Sequence, residues 1–582
     1  MSQVRVSKLI VPGALLAMLC GCQPSAPPPP AAAAPAWPEV RDAFVEGYFK
    51  EDPFFAARSG RHEFDGQVAD MSAAGIQHRV DYLHASRTRI EAVDGGGLPA
   101  EQRFERDYLL RVIAAELFYV EKLREPFTNP HWYIDALDPD VYLSRNYAPL
   151  ETRMKAYIEY ARAVPRVAAD AKTNLKGPMP KSFVELAVDG FGGYADFFKS
   201  DVAGAFKDIK DPELQKQLAS ADAAAAAAMA GLKDYFVAQR ATATEQFALG
   251  KDLFAAMLAD TEGVTVPIED IEAAGRADLE RNTAALQAEC ERYLPKATLK
   301  ACLAKVSADK PKGGALEAAR ADLVLLKDFI VKNGVVTIPG TEDALVAEAP
   351  PYNRSNIAFI QVPGPFDQGV ASVYNIAPPN PTWSKAEQAA YVPGKALLMS
   401  ISAHEVWPGH FLQFLYSNHT PSKVEGLWVG YAFAEGWAHY TEEMILEMGF
   451  AAGDPVMHIG QLQNALWRDV RLLSAIGLHT HGMTEAESEK MFLERAFLDP
   501  GNCRQQAARG TYDPGYLNYT LGKLMIRKLR TDWIAKKLAG RTASPAEERV
   551  LWHDFHDAFL SHGGPAIPRL RLEMLGEAGT LL

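Results

Sequence analysis

From residue 37 to about residue 346, apolar side chains recur at three- and four-residue spacing, the signature of helices that bury one face. The longest periodic segments are 101–123, 150–174 and 215–239, and the alanines at 223–228 strengthen the last of them as a helix former. Between residues 334 and 383 the period changes. Short β-type runs at 335–338, 357–362 and 371–376, bounded by proline and glycine, predict a small sheet. Ser384-Lys385-Ala386-Glu387 then has the form of a capping box and opens a further helical stretch. This pattern predicts a mainly α fold: two helical lobes around a deep cleft, with a small β-sheet beside the helix that follows it. The chain has no Gly/Ser linker, which argues for lobes sharing a cleft rather than independent modules.

The first residues depart from this texture. Arg5 and Lys8 precede the apolar run from Leu9 to Leu19, a secretory leader too short for a stable membrane span. Leu19-Cys20-Gly21-Cys22 has the form of a lipobox, which makes Cys22 the lipidated first residue of the mature chain. Simple cleavage by an ordinary signal peptidase is the alternative. Gln23 after that cysteine points, in a Gram-negative cell, to the periplasmic face of the outer membrane. The Pro/Ala-rich stretch that follows cannot bury a core and reads as an extended tether. The expected organisation is leader 1–21, tether 22–37, helical lobe 38–346 and metal-binding catalytic lobe 347–582.

Composition narrows the function. The formal charge is -13, and loss of Arg5 and Lys8 with the leader makes the mature part about -15. An acidic chain without a basic cluster is a poor nucleic-acid partner, and its expected membrane contact is the lipid anchor alone. The sequence leaves the oligomeric state open. Five cysteines exclude a disulfide framework. Cys290 and Cys302, across the Tyr293-Leu294-Pro295 turn, are placed for one bridge between helix ends, the alternative being two unpaired thiols.

The chemistry concentrates in His404-Glu405-Val406-Trp407-Pro408-Gly409-His410 and in Glu435-Gly436-Trp437-Ala438-His439-Tyr440-Thr441-Glu442. Two imidazoles, a carboxylate beside one of them and a downstream glutamate form the donor set of a catalytic zinc site with a position open for water. The histidines are six residues apart, about 240° around a regular helix. Pro408 and Gly409 forbid a regular helix through the motif, so a local bulge or kink must bring His410 back beside His404. Glu435, His439 and Glu442 share one helical face, with His439 and Glu442 behind Glu435 to orient ligands. A buried polar network without metal is the alternative reading.

The runs HEVWPGHFLQ, EGWAHYTEE and YLNYTLGKL together resemble the bacterial family known as domain of unknown function 885, whose members include lipoproteins. That family is similar to the gluzincin zinc peptidases. The resemblance implies zinc held by His404, His410 and Glu435, with Glu405 as base. The match of Tyr519-Thr520-Leu521-Gly522-Lys523 to the family motif implies that Tyr519 steadies the oxyanion, core packing of a tyrosine stripe being the alternative. Helical spacing puts Lys523 on the same face, toward the substrate. An edge strand of the gluzincin kind is expected to receive the peptide, Tyr374 and Asn375 being the candidates. An ordinary scaffold strand is the alternative for that segment. Asp513-Pro514-Gly515 is expected to cap the helix carrying Tyr519. His479 either steadies a developing oxyanion or is a satisfied structural histidine, and Ala475 stands where the family often has an aspartate.

The expected function is that of a zinc-dependent hydrolase, a peptidase of short envelope peptides in which Glu405 activates a zinc-bound water. Hydrolysis of another amide or ester uses the same chemistry. A non-catalytic envelope lipoprotein binding peptides or partners is the reading from another class. Glu405 beside a ligand favours catalysis, since structural zinc sites close all four positions with protein donors.

Overall fold

The computed structural model describes residues 36–350, 354, 357–381 and 383–582. The leader, Cys22 and the tether up to residue 35 lie outside the described residues. Trp37, assigned above to the tether, is instead the first residue of helix α1 (Trp37–Glu51), where it is buried and donates from Nε1 to Glu105 at 2.9 Å.

Three apolar cores organise the helices. The first joins α1 to α2 (Ala100–Leu117) through Phe44, Tyr48, Leu109 and Ile113, and takes in Trp428 from far along the chain. The second is built on α3 (Leu150–Asn174), α4 (Lys181–Ser200) and α5 (Pro212–Gln239). Helix α3 has the predicted bounds, with Met154, Tyr157, Ile158, Ala161, Val164 and Ala168 buried at the helical period. Helix α5 starts earlier than its apolar pattern, because Asp211 caps the backbone N–H groups of Glu213 and Leu214 and Pro212 occupies the first turn.

The third and largest core draws on both sides of residue 346. It contains α6 (Ile268–Tyr293), α7 (Leu299–Ala308) and α8 (Ala315–Asn333). A Cys290–Cys302 disulfide ties the end of α6 to α7, as their spacing suggested, and Cys503 is free and buried. The sheet follows: β1 (Ala344–Glu348), β2 (Ala358–Gln361) and β3 (Ser372–Ile376), in the order β1-β3-β2. Strand β3 pairs parallel to β1 from Ala344↔Ser372 and antiparallel to β2 from Ala358↔Ile376.

Two strand expectations are corrected. Residues 335–338 form no strand: Gly334, at φ 57°, ends α8 in the left-handed region, and the next backbone groups find partners on a distant helix. His556 Nδ1 bonds Val335 O at 2.7 Å, and Asp557 accepts from Thr337 N at 2.8 Å. The strand β1, in contrast, lies where the helical pattern was read to continue.

The remaining helices carry the site: α9 (Lys395–Glu405), α10 (His410–His419), α11 (Tyr431–Glu447), α12 (Pro455–Thr480) and α13 (Asn518–Leu538). A short helix before them, Lys385–Tyr391, starts with the Ser384/Glu387 capping box in full. Helices α11 and α13 cross at glycines. A Cβ added to Gly436 would lie 2.5 Å from Gly522 Cα, and one added to Gly522 would lie 2.1 Å from Ala432 O, so only glycines permit this approach. The architecture is mainly α with one small three-stranded sheet.

Candidate metal centre

Helix α9 stops at Glu405. Val406 leaves the helical region at φ -124°, ψ -76°, the Trp407–Pro408 peptide is cis, and α10 begins at His410. Gly409 closes the break by donating to Ala403 O at 3.0 Å. A Cβ there would fall 1.8 Å from His404 O. Trp437 Nε1 holds the loop from α11 through Pro408 O at 2.8 Å. The interruption expected from Pro408 and Gly409 is therefore present, and it brings the rings of His404 and His410 to 4.8 Å, edge to face.

Glu435, in the first turns of α11, completes a triangle. One ligand atom from each of His404, His410 and Glu435 lies within 4.8 Å of the others, the one such cluster of acids, histidines or cysteines among the described residues. Glu435 Oε2 is 3.4 Å from His404 Nε2 and 3.2 Å from His410 Nε2, yet it is buried without a directed hydrogen bond. Atoms each about 2.0–2.1 Å from a shared tetrahedral ion stand roughly 3.3–3.4 Å apart. Both edges of the triangle that meet at Glu435 have the length a shared zinc ion requires, and the donor set suits that ion.

The outer groups are set by the same helices. His404 Nδ1 lies 2.7 Å from Glu442 Oε1; donating there, it leaves the Nε2 lone pair free for a metal. Burial works against the Glu442 charge, but Arg468, at 3.6 Å, and the neighbouring histidines outweigh it and hold the carboxylate ionised. His439 also backs Glu442, at 3.6 Å, too far to bond. Burial and the nearby Lys523 ammonium push its pKa down to about 4, so it is a neutral ring.

Glu405 faces the same cavity, and its Oε2 accepts from Ile360 N at 3.1 Å. Burial raises its pKa, opposed by the two histidines. Tyr519 also lines the cavity, its ring parallel to His404 within 12° at a centroid separation of 6.2 Å. It is reached through a 3-10 turn, Pro514–Leu517, rather than a direct cap: the Asp513 carboxylate makes no cap bond and instead accepts from Arg509.

Four assigned residues do not reach the centre. Tyr374 and Asn375 belong to the middle strand β3, paired on both sides and buried. Asn375 donates to Gln361 Oε1 at 2.7 Å, and the edge strand that lines the cavity is β2, through Ala358, Phe359 and Ile360. Lys523 shares the face of Tyr519 in spacing, but its ammonium is fully buried against Asp278, with Glu443 at 3.9 Å. His479 has both ring nitrogens committed, Nε2 to Gly510 O at 2.7 Å and Nδ1 to Leu249 N at 3.3 Å; it is a satisfied structural histidine.

Sequence reading passed over Arg468 and Arg471 as site residues, although both interrupt an apolar helix. Both line the cavity from α12, and Arg471 lies over the Tyr519 ring at 4.7 Å. The cavity itself, about 3150 Å³, extends from the His404/His410/Glu435 triangle to side chains of the first helices, including Arg58, Trp132 and Glu125.

Two solved structures share the fold. A candidate lipoprotein of unknown function from Shewanella oneidensis matches with TM-score 0.75 and 21% identity, over 93% of this chain and 100% of that one. A candidate lipoprotein from Colwellia psychrerythraea matches with TM-score 0.76 and 16% identity, over 92% and 98%. No curated protein matches. The model of the family described as bacterial protein of unknown function (DUF885) matches residues 53–574, and the chain belongs to that family.

Proposed function

We propose that this protein is a gluzincin-like zinc-dependent hydrolase that cleaves short peptides in the cell envelope. The observation that carries the reading is the convergence of His404, His410 and Glu435 within 4.8 Å, with Glu405 beside them on the wall of one cavity. A zinc ion held by these three side chains would supply Lewis-acid polarisation of a substrate carbonyl and acidify water. Glu405 accepts the proton of the attacking water and returns it to the leaving amine. Tyr519 donates its hydroxyl to the oxyanion that develops on the scissile carbonyl. Glu442 keeps His404 in the ligating tautomer, and Arg468 keeps Glu442 charged. The large cavity takes an extended peptide but not a folded domain, and β2 offers its outer edge to the peptide backbone.

The leader with its Cys22 lipobox and the two fold neighbours described as lipoproteins support envelope placement. No helix of the described residues is long and apolar enough to cross a membrane. The test is metal analysis together with a peptide-library digest. Wild type should carry zinc and cleave, and Glu405→Gln should keep the zinc and lose at least about 10³-fold in turnover. His404→Ala, His410→Ala and Glu435→Ala should each lose the metal. Full zinc occupancy in His410→Ala, or efficient cleavage of an intact folded protein beside its own fragments, would refute the site or the channel.

A further inference from the structure

The cavity wall beside Tyr519 carries three guanidinium groups, and two are neutralised by the protein. Arg468 pairs with Glu442 at 3.6 Å and Arg509 with Asp513 at 2.7 Å. Arg471 is only 7% exposed and has no carboxylate partner among the described residues. Among the described residues its hydrogen bond runs from Nε to Gln506 Oε1, at 2.8 Å. The rings of Trp467, Tyr519 and Tyr516 lie at 5.2, 4.7 and 6.0 Å from its Cζ and fix the plane of the fork. Ring faces recover part of the lost hydration, on the order of 1–2 kcal/mol. The terminal nitrogens of Arg471 are not sealed in the protein but line the cavity, where an anion arriving from outside would supply the missing counter-charge.

We infer that Arg471 receives the α-carboxylate of a peptide substrate, making the enzyme act at peptide C-termini. The inference rests on the hydrolase reading of the neighbouring centre. A planar fork with Nε already engaged offers its terminal nitrogens to a carboxylate. One unpaired cation balances one negative charge, which favours a carboxylate over a phosphate dianion. Distance sets which carboxylate. With Cζ 4.7 Å from the Tyr519 ring and that ring 6.2 Å from His404, the guanidinium is at most about 11 Å from the histidine, two to three extended residues. The carboxylate then sits one or two residues beyond the scissile carbonyl.

The zinc-loaded full chain is offered matched short peptides with a free or an amidated C-terminus. The free acids should be cleaved roughly 10- to 100-fold better in kcat/KM, the worth of a charged hydrogen-bond pair. In Arg471→Gln that ratio should fall toward one through KM, with zinc content retained. Gln506→Glu, which keeps the arginine but gives it an internal carboxylate, should do the same. Equal cleavage of acids and amides by wild type, or a preference surviving both variants, overturns the inference. A preference for amidated peptides with an internal Asp or Glu overturns the C-terminal assignment in favour of a side-chain carboxylate. Calorimetry on Glu405→Gln separates the two readings. Tighter binding of acid than amide, lost when Arg471→Gln is added, upholds the anion site even if wild type cleaves nothing. Equal binding overturns it.

Discussion

Helices α11 and α13 support two buried polar clusters, about two turns apart along α11 and one along α13. Glu435 and Tyr519 face the cavity; Glu443 and Lys523, further along the same helices, meet Arg281 and Asp278 of α6. In the second cluster every charge has a partner. Arg281 binds Glu443 at 2.6 Å and Asp278 at 2.7 Å, Lys523 pairs with Asp278, and Asn282 donates to Asp469 at 2.7 Å. The first cluster leaves groups unmet: Glu435 Oε2 and His410 Nδ1 have no directed hydrogen bond, and Arg471 has no counter-ion. Both clusters are costly to bury; in the second, closed cluster the charges compensate one another, and Asn282 Oδ1 is the atom left without a directed hydrogen bond. An arginine without a counter-ion among the described residues and an open His/Glu triangle, rather than burial alone, set the first cluster apart from the second.

The largest expected effect tests the closed cluster. Lys523→Met leaves Asp278 and Glu443 short of a cation and should destabilise by about 3–5 kcal/mol in denaturant unfolding, with zinc affinity unchanged. A comparable loss of zinc would merge the two clusters into one. Tyr519→Phe addresses the open cluster: kcat should drop roughly 100-fold with zinc and melting temperature retained, and an unchanged kcat would return Tyr519 to packing. Glu442→Gln should weaken zinc binding by roughly 10- to 100-fold, read by chelator competition.

The smallest effect comes from a carboxyl that belongs to neither cluster. Glu262 lies at the start of α11, accepting from Ala432 N at 3.3 Å, and burial pushes it up to about 7. Its folded pKa is raised, so the folded protein holds a proton that the unfolded chain releases above about 4.5. Stability is full below that pH, falls as pH rises to about 7, and stays reduced above. Glu262→Gln should thus gain on the order of 1–2 kcal/mol at pH 8 and nothing at pH 4.5. Equal gains at both pH values would show that the carboxyl does not titrate there.

The open cluster was legible because its residue types are chemically specific and Pro408-Gly409 forces the one backbone break that joins them. Helix α3 was legible because its apolar period runs unbroken to both ends. Lys523 was misplaced for a physical reason: periodicity assigns a face, but a long side chain chooses among acids that α6 and α12 bring from elsewhere. Residues 335–338 have strand-forming side chains, yet their backbone partners lie some 220 residues away. Arg471 left a signal in the sequence, an arginine in the apolar stretch from Leu466 to Leu478; its missing partner became visible only in three dimensions.

The glycine crossing of α11 and α13 has a mechanical consequence. With backbone against backbone at Gly436 and Gly522, no side chain is left between the helices to slide or repack. Glu435, one residue before the first glycine, and Tyr519, three before the second, are therefore carried on a single stiff frame. Any breathing of the cavity has to be taken up by its other walls. Adding one methyl group at either glycine would act as a wedge, spreading the His404/His410/Glu435 triangle without touching any of its members.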